Sequence, residues 1–425
     1  MTAPLTLAID FGTSNSLVGA ARGDERIEAL PLDPAAKDPS LMRTLLYFVN
    51  SRECYFGADT IPKYVENEME GRLFRSFKSH LPNRNYSGTM VGERVMSLEN
   101  LVTTFLLELK RRAESELGET AERAVIGKPA RYSLDDEVDA FALKRMSRAV
   151  EAAGFKEYEF VPEPLAAALD YRRGLTEEKI VLIGDFGGGT SDFTLMRMGP
   201  FDYQASDVLG IDGCPLAGDA LDSLFMSKRL NKFLGAEVQY RMSMSNNWLT
   251  MPPTVTERLN QPAHIVHLKE KATYEFIREV RKGAPNEKDR EAIDRLFALI
   301  EDQQIFAFFE KIEATKRRLS DREIATFEFD YPDIEIRTDF LREEFDEWSE
   351  ATIAKIFASM EECLKKGGVT ADRVDLISLT GGSSQVPKIR KEFEKRFGAA
   401  KLQTRSQFHS VLSGLIESAR LFNLK

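Results

Sequence analysis

Two stretches of the chain begin with the same three residues, Asp10-Phe11-Gly12-Thr13-Ser14 and Asp185-Phe186-Gly187-Gly188-Gly189-Thr190. Each follows one apolar run and precedes another, which predicts a strand, a tight turn and a second strand. Glycines let a ligand approach the backbone closely, and N–H groups and hydroxyls in such turns bind phosphate oxygens. The repeat therefore predicts two matched phosphate-binding turns that hold a nucleotide between two lobes.

The composition narrows the class of protein. The chain has 425 residues, 43% of them hydrophobic and 30% charged, so it is long enough for several domains with proper cores. A net charge of −10 argues against a nucleic-acid partner and against a polybasic membrane binder. No apolar run reaches the ~18 residues of a membrane helix, and Asp10 interrupts the first one, which argues against a secretory signal. Three widely spaced cysteines, Cys54, Cys214 and Cys363, indicate reduced thiols and a cytoplasmic location.

The order of predicted elements is typical of an α/β protein with a largely parallel sheet. Residues 22–97 predict a small insert, which is followed by an amphipathic helix from Leu98. The other predicted elements of the first half are a strand (124–127), a helix (135–154) and a helix (165–173). Those of the second half are a helical segment (223–320), paired strands (326–330 and 334–337), a helix (341–365), a strand (376–379) and two closing helices.

The carboxylates near the two turns are the candidate metal and catalytic groups. Mg²⁺ keeps most of its waters, so we expect Asp10 and Asp185, one at each turn, to hold it through water. Asp192 lies two residues after Thr190 and is placed to orient an attacking water. Glu163 stands between two prolines at a strand-to-helix junction, which is a constrained position for a carboxylate.

Two further sites are candidates for binding the rest of a nucleotide. The turn after Thr380 contains Gly381-Gly382, where backbone could pack against a flat ring and its ribose; an ordinary strand–turn–helix joint is an equal alternative. Glu313, Lys316 and Arg317 share one helix face through their i, i+3 and i+4 spacing and could hold ribose hydroxyls. By itself this trio is better explained as an intrahelical ion pair, worth ~0.2–0.5 kcal/mol.

Taken in chain order, these motifs resemble the actin-like ATPase superfamily and, within it, the nucleotide-binding domain of the seventy-kilodalton heat-shock (DnaK-type) chaperones. Residues 9–16 and 185–192 are similar to the two phosphate motifs of that family, and residues 161–171 to its first connecting segment. Further similarities are those of residues 218–222 to the Gly-Glu-Asp-Phe-Asp turn, of 313–320 to the adenosine-contacting helix and of 380–388 to the adenosine glycine motif.

The resemblance implies an α/β fold of the actin-like ATPase class, with two lobes that are each built on a duplicated, ribonuclease H-like mixed sheet. Lobe I would comprise residues 1–176, with an inserted subdomain at 32–98 and with C-terminal helices at 405–425 returning to it. Lobe II would comprise residues 177–404, with an enlarged insert at 223–337. Because the chain stops at Lys425, the peptide-binding domain of DnaK-type chaperones is expected to be missing, as in the short bacterial YegD-like group.

It also implies a role for each motif residue, with ATP or ADP and Mg²⁺ as the ligands. Asp10, Glu163 and Asp185 would position the ion and its waters, and Asp192 would lie near the nucleophilic water. The implied nucleotide-binding residues are Gly12, Thr13, Ser14, Asn15, Gly187, Gly188, Gly189, Thr190, Gly218, Asp219, Glu313, Lys316, Arg317, Gly381, Gly382 and Ser383.

Two positions depart from the family pattern. Gln385 stands where the family has an arginine that stacks on adenine. The catalytic lysine is expected in the first insert after Gly57, where Lys63 is the nearest candidate and Ile61 occupies the matching position. A missing lysine would cost orders of magnitude in rate, so the sequence supports nucleotide binding better than hydrolysis.

The favoured function is a Mg-ATP-binding, slowly hydrolysing, chaperone-like protein, whose partners would include clients, a co-chaperone or a nucleotide-exchange protein. A small-molecule kinase, a filament-forming actin relative and a nucleotide-sensing scaffold without turnover remain alternatives. His264 and His267 have a spacing that suits a metal, but no cysteine or carboxylate cluster accompanies them, so no metal is predicted there.

Overall fold

The computed structural model describes residues 4–68, 70–86, 88–133, 135–172, 176–201, 205–242, 247–260, 268, 270–302, 304–403 and 409–423. His264 and His267 lie outside these residues. The chain forms two compact units: unit 1 comprises Met1–Pro215, Ala358–Ser384 and Glu392–Lys425, and unit 2 comprises Leu216–Phe357 and Gln385–Lys391. The lobe boundary predicted at residues 176 and 177 stays a prediction.

The first sheet of unit 1 is built around the strand that leads into the first Asp-Phe-Gly. This strand, Leu5–Phe11, pairs antiparallel with Asn15–Arg22 and parallel with Arg123–Lys128. Glu25–Ile27 continues the antiparallel side and Glu157–Pro162 continues the parallel side. The first strand in sequence therefore lies in the middle of the sheet, between its hairpin partner and the first of two parallel strands.

The second sheet of unit 1 repeats this topology around the second Asp-Phe-Gly. Lys179–Phe186 pairs antiparallel with Ser191–Met198, which is followed by Val208–Cys214. On the other side, Leu376–Thr380 and Leu402–Gln403 run parallel to it. The duplicated mixed sheets confirm the predicted α/β fold class, although the sheets are mixed rather than largely parallel.

The central strand of the first sheet is apolar almost throughout because it is covered on both faces. Leu7, Ile9 and Phe11 point into a core that includes the helix Leu98–Leu117. Ala8, between them in sequence, belongs to a second core with the C-terminal helix His409–Asn423. Asp10 is the one charged residue of the strand, and it comes where the strand ends.

The remaining elements of the described chain agree with the predicted order. In unit 1 they are the strands Met42–Arg43, Leu45–Phe48, Cys54–Phe56, Arg72–Arg75, Thr89–Val91 and Arg94–Met96, and the helices Thr60–Glu66, Asp136–Ala152 and Glu163–Arg172. In unit 2 they are the helices Gly218–Phe225, Pro253–Leu259, Lys271–Gly283, Glu287–Glu301 and Ile305–Asp321, and the strands Gln239–Tyr240, Leu249–Thr250, Ile324–Tyr331 and Ile334–Leu341. Two more helices, Arg342–Lys366 and Pro387–Phe397, continue through the unit boundaries.

One close helix contact holds Glu163 in place. The helix that begins with Glu163 packs against the C-terminal helix, where Gly414 lies directly over the backbone of Ala166. A Cβ atom at position 414 would overlap the Ala166 carbonyl group. Only glycine allows the two helices to approach this closely.

We predict that Gly414→Ala will destabilise the protein by about 2 kcal/mol or more, because the added methyl must push the two helices apart. Urea unfolding should show this as a lower midpoint. Ser418→Ala, one turn further along the same helix, removes only a hydroxyl that bonds to the Gly414 carbonyl. This control should change the free energy of unfolding by less than about 0.5 kcal/mol, and equal effects of the two variants would contradict the packing argument.

Candidate functional site

Four carboxylates gather at one end of the two sheets of unit 1. Asp10 and Asp185 are each the last residue but one of a central strand. Asp192 lies directly opposite Asp185 in the antiparallel ladder of the second sheet. Glu163 follows the strand Glu157–Pro162 of the first sheet and begins the next helix. The duplicated topology therefore brings together the four residues that the sequence predicts as catalytic.

The carboxylates of this acidic cluster (Asp10, Glu163, Asp185 and Asp192) influence one another. Burial raises the pKa of Asp10, the charges of Glu163 and Asp185 raise it further, and Lys78 opposes them. Burial and Glu163 likewise raise the pKa of Asp185, against a hydrogen bond from Thr380 and the charge of Lys78. Negative charge is thus concentrated in a place where water screens it poorly.

Asp192 belongs to the same cluster. Burial raises its pKa to about 7, and the charges of Asp185 and Glu163 contribute to that shift. A hydrogen bond from the Thr190 hydroxyl, 2.8 Å from Asp192 Oδ2, acts in the opposite direction. Asp192 therefore titrates near neutral pH, which is the range in which a general acid or base works best.

Lys78 supplies the positive charge of the cluster. It lies in the short helix Phe77–His80, is 7% exposed, and its Nζ is 3.2 Å from Glu163 Oε1. Burial by itself lowers the pKa of Lys78, but the charges of Glu163 and Asp10 outweigh it and raise the pKa to about 12. The ammonium also lies 5.6 Å from the centre of the Phe11 ring. Lys78 is thus a permanently charged side chain in contact with the acidic cluster.

The sequence alone did not identify this lysine. Lys63, the sequence-based candidate, is partly exposed and forms an ion pair with Glu66, three residues along the chain. Lys78 comes 15 positions later, directly after the buried Phe77. In the sequence, the only local sign of a buried role for Lys78 is its position directly after the aromatic Phe77. A lysine in such a position more often packs its aliphatic chain on apolar surface and keeps its ammonium in solvent.

The first turn is held by a residue outside the repeat. Thr44 donates its hydroxyl to the Gly12 carbonyl at 2.8 Å, and its N–H donates to the Ser14 carbonyl at 2.9 Å. Gly12 has no room for a side chain because a Cβ atom would overlap the Asn15 carbonyl. Thr13 and Asn15 are partly exposed and Ser14 is exposed. The backbone of the turn is therefore held by Thr44, whereas the side chains of Thr13 and Ser14 are accessible to solvent.

The second turn is held by a different set of contacts. The Gly187 N–H donates to the Thr190 carbonyl at 2.9 Å, while a side chain at Gly189 would meet open space. Gly381 packs behind this turn with a φ of +82°, and a Cβ there would overlap the Phe186 carbonyl. Gly382 faces open space and Ser383 is buried at the start of the next short helix. The glycine motif at 381–383 is thus a neighbour of the turn at residues 187–190, since Thr380 also donates to Asp185 at 2.8 Å.

The other predicted nucleotide-binding residues lie in unit 2. Lys316 is buried there, with its Nζ 2.8 Å from Asp222 Oδ1 and 3.2 Å from the Gly218 carbonyl oxygen. Burial raises the pKa of Asp222 to about 6, and Lys316 opposes this shift. On the same helix, Glu313 is partly buried and Arg317 is exposed. Lys316 therefore connects its helix to the helix Gly218–Phe225 through Asp222, which was not among the predicted site residues.

The acidic cluster of unit 1 fits a hydrated magnesium ion. Carboxylates are the ligands that Mg²⁺ prefers, and Lys78 balances only part of their charge. Within the described parts of the chain, no three Asp, Glu, His or Cys side chains form a direct ligand set. None of the described helices is both long and apolar enough to cross a membrane.

The duplicated sheets and their acid-bearing turns define an α/β protein of the actin-like ATPase class. A family model described as "Hsp70 protein" matches residues 57–234 and 288–414, which is more than half of the chain. The chain therefore belongs to the Hsp70 family. Residues 235–287, between the two matched ranges, include the helices Pro253–Leu259 and Lys271–Gly283.

Individual relatives agree with this assignment. The chain is 24% identical to chaperone protein DnaK 3 of Synechococcus sp. over 407 residues, which are 92% of this chain and 54% of the relative. It is 26% identical to heat shock 70 kDa protein 13 of Bos taurus over 347 residues (79% and 67%), and 23% identical to chaperone protein DnaK of Halobacterium salinarum over 398 residues (94% and 53%). The chain spans about half the length of these DnaK relatives.

We predict that Lys78→Met will lower the free energy of unfolding by roughly 3 kcal/mol, because it leaves the partly buried Glu163 carboxylate without its partner. Denaturant unfolding without nucleotide is the measurement. Lys63→Met is the matched control, since it breaks only an exposed ion pair and should cost less than about 0.5 kcal/mol. A Lys78 variant as stable as this control would contradict the burial of the pair.

The pKa of Asp192 predicts a pH-dependent effect of Asp192→Asn. The folded protein holds this proton up to about pH 7, whereas an unfolded aspartate releases it near pH 4. Wild-type stability is therefore lost as the pH rises through this window, and the asparagine variant avoids the loss. At pH 8 we expect the variant to be more stable than the wild type by roughly 1–3 kcal/mol without Mg²⁺, with the difference vanishing near pH 4. A difference that is constant across unfolding curves from pH 4 to 8 would contradict the shift.

Proposed function

We propose that the chain binds Mg-ATP and hydrolyses it slowly, as a chaperone-like nucleotide switch. The observation that carries this proposal is the acidic cluster, which two copies of one strand–turn–strand motif build around Lys78. A nucleotide-triphosphate tail with its metal would bring the charges that such a site needs. Membership of the Hsp70 family supports the same function.

The two turns are proposed to bind the phosphates. Gly12, Thr13, Ser14 and Asn15 would contribute from the first turn, and residues 187–190 from the second, through N–H groups and hydroxyls. Asp10 and Asp185 would hold Mg²⁺ through its waters. When bound, the ion neutralises charge that develops on the phosphate oxygens.

Glu163, Asp192 and Lys78 are proposed to serve the hydrolytic step. Asp192 is a partly protonated carboxylate near neutral pH and would accept a proton from the attacking water. Lys78 would stabilise negative charge on the terminal phosphate, because its ammonium stays charged. Glu163 holds Lys78 in position through their ion pair. This lysine favours turnover over a scaffold that binds nucleotide without hydrolysis.

The base and sugar are proposed to meet the remaining motif residues. These are Gly381, Gly382, Ser383, Gly218, Asp219, Glu313, Lys316 and Arg317. Lys316 would act mainly by fixing the backbone at Gly218, since its ammonium already contacts that carbonyl and Asp222. The family resemblance is the support for these assignments.

The wider biology is part of the same proposal. We propose clients or a co-chaperone as partners, membership of the short YegD-like group and a cytoplasmic location. Cys54, Cys214 and Cys363 form no disulfide, which is in keeping with a reducing compartment.

The test is thermal stability with and without Mg-ATP, measured together with phosphate release. Saturating Mg-ATP at ~1,000 times its Kd should add ~4 kcal/mol to the free energy of unfolding of the wild type. Asp10→Asn should lose most of this gain and of the phosphate release, because it removes one of the proposed magnesium-holding carboxylates.

Asp24→Asn is the matched control, since Asp24 is a surface carboxylate that pairs with Arg420. It should keep the full response to Mg-ATP. A wild type that gains no stability from Mg-ATP would overturn the proposed function, and a gain without phosphate release would favour the scaffold.

A further inference from the structure

A buried tyrosine hydroxyl lies beside the acidic cluster and has no role in the mechanism so far. The Tyr132 hydroxyl is shielded from solvent and has no hydrogen-bond partner among the residues that the structure describes. The Tyr132 ring packs against the core that also contains Phe11 and Phe77. Buried hydroxyls in folded proteins nearly always have a partner, which is a protein group, an ordered water or a ligand.

Tyr132 is held in a fixed position. It follows the strand Arg123–Lys128, which lies next to the strand of Asp10 in the first sheet. The Tyr132 and Ser133 N–H groups both donate to Asp139 Oδ1, at 2.6 and 3.3 Å. Asp139 in turn belongs to the first turn of the helix Asp136–Ala152. The hydroxyl is therefore fixed by backbone contacts and by ring packing rather than by a bond of its own.

The charges that act on this hydroxyl are those of the proposed phosphate site. Burial raises the pKa of Tyr132 to about 12, Lys78 lowers it, and Glu163 and Asp139 raise it. Tyr132 in turn is one of the groups that raise the pKa of Lys78. The hydroxyl thus remains a neutral O–H donor in the neighbourhood of the Lys78–Glu163 pair.

A polar group left without a partner costs stability, and proteins retain such groups mainly where a ligand uses them. Phenylalanine would fill the same space without that cost. We propose that Tyr132 is a ligand-binding residue of the phosphate site, whose hydroxyl donates a hydrogen bond to an oxygen atom of the bound Mg-nucleotide beside Lys78. That oxygen belongs to the terminal phosphate or to a water on the metal. The inference rests on the proposed function, because it concerns the same site.

The test compares Tyr132→Phe with Tyr47→Phe, using melting temperatures without ligand, with Mg-ATP and with Mg-ADP. Tyr47 is a buried tyrosine of unit 1 whose hydroxyl does have a partner, the Glu70 carbonyl oxygen at 2.8 Å. Without ligand, Tyr47→Phe should melt a few degrees below the wild type, whereas Tyr132→Phe should melt at the same temperature or higher.

With saturating Mg-ATP, Tyr132→Phe should melt below Tyr47→Phe. Tyr47→Phe should keep the full gain from Mg-ATP. Tyr132→Phe should bind Mg-ATP about ten- to a hundredfold more weakly, which is the range for a hydrogen bond to a charged group. Weaker binding of Mg-ATP but not of Mg-ADP assigns the oxygen to the terminal phosphate. If Tyr132→Phe binds both nucleotides more weakly than the wild type, and this difference disappears when EDTA removes the metal, the oxygen belongs to a metal-bound water.

Two outcomes would overturn the inference while the proposed function stands. One is an unchanged affinity of Tyr132→Phe for both nucleotides while the wild type responds to them. The other is a loss of stability without ligand that equals the loss for Tyr47→Phe, because the hydroxyl would then be bonded within the protein. A wild type that binds no nucleotide would instead overturn the proposed function, and this inference with it.

Discussion

The acidic cluster around Lys78 is the constraint on which the rest of unit 1 depends. Burial and the charge of Glu163 raise the pKa values of Asp10 and Asp185. The positive charge of Lys78, which is paired with Glu163, offsets only part of this effect. The proposed divalent cation and phosphate tail would complete the charge balance of the cluster. Such local instability is typical of binding sites, where stability is exchanged for affinity.

The duplication explains how such a cluster can be built. Each sheet places its central strand beside one antiparallel hairpin partner and one parallel neighbour, so each central strand ends in a turn at the same relative position. The supports differ: Thr44 braces the first turn, whereas Gly381 and Thr380 brace the second.

Much of the fold could be predicted from local patterns. The apolar runs before Asp10 and Asp185 became central strands, and Glu163 became the first residue of a helix, because strand length, turn glycines and helix starts depend on near neighbours. Lys78, Asp222 and Tyr132 could not be found in this way. Each of them is defined by a partner or a charge that is distant in sequence, such as Glu163 for Lys78. A local sequence pattern does not show which distant residues folding brings together.

The sequence by itself determined the class of the protein, since motifs of glycines and carboxylates in one order are specific enough to indicate the Hsp70 family. Only the tertiary structure decided which cation joins those carboxylates. Lys63 and Lys78 have the same side chain and lie in the same insert, but one is on the surface and the other is buried against Glu163. An ammonium acquires an unusual environment only through burial and through charges brought near by folding, and neither property is encoded at the lysine itself.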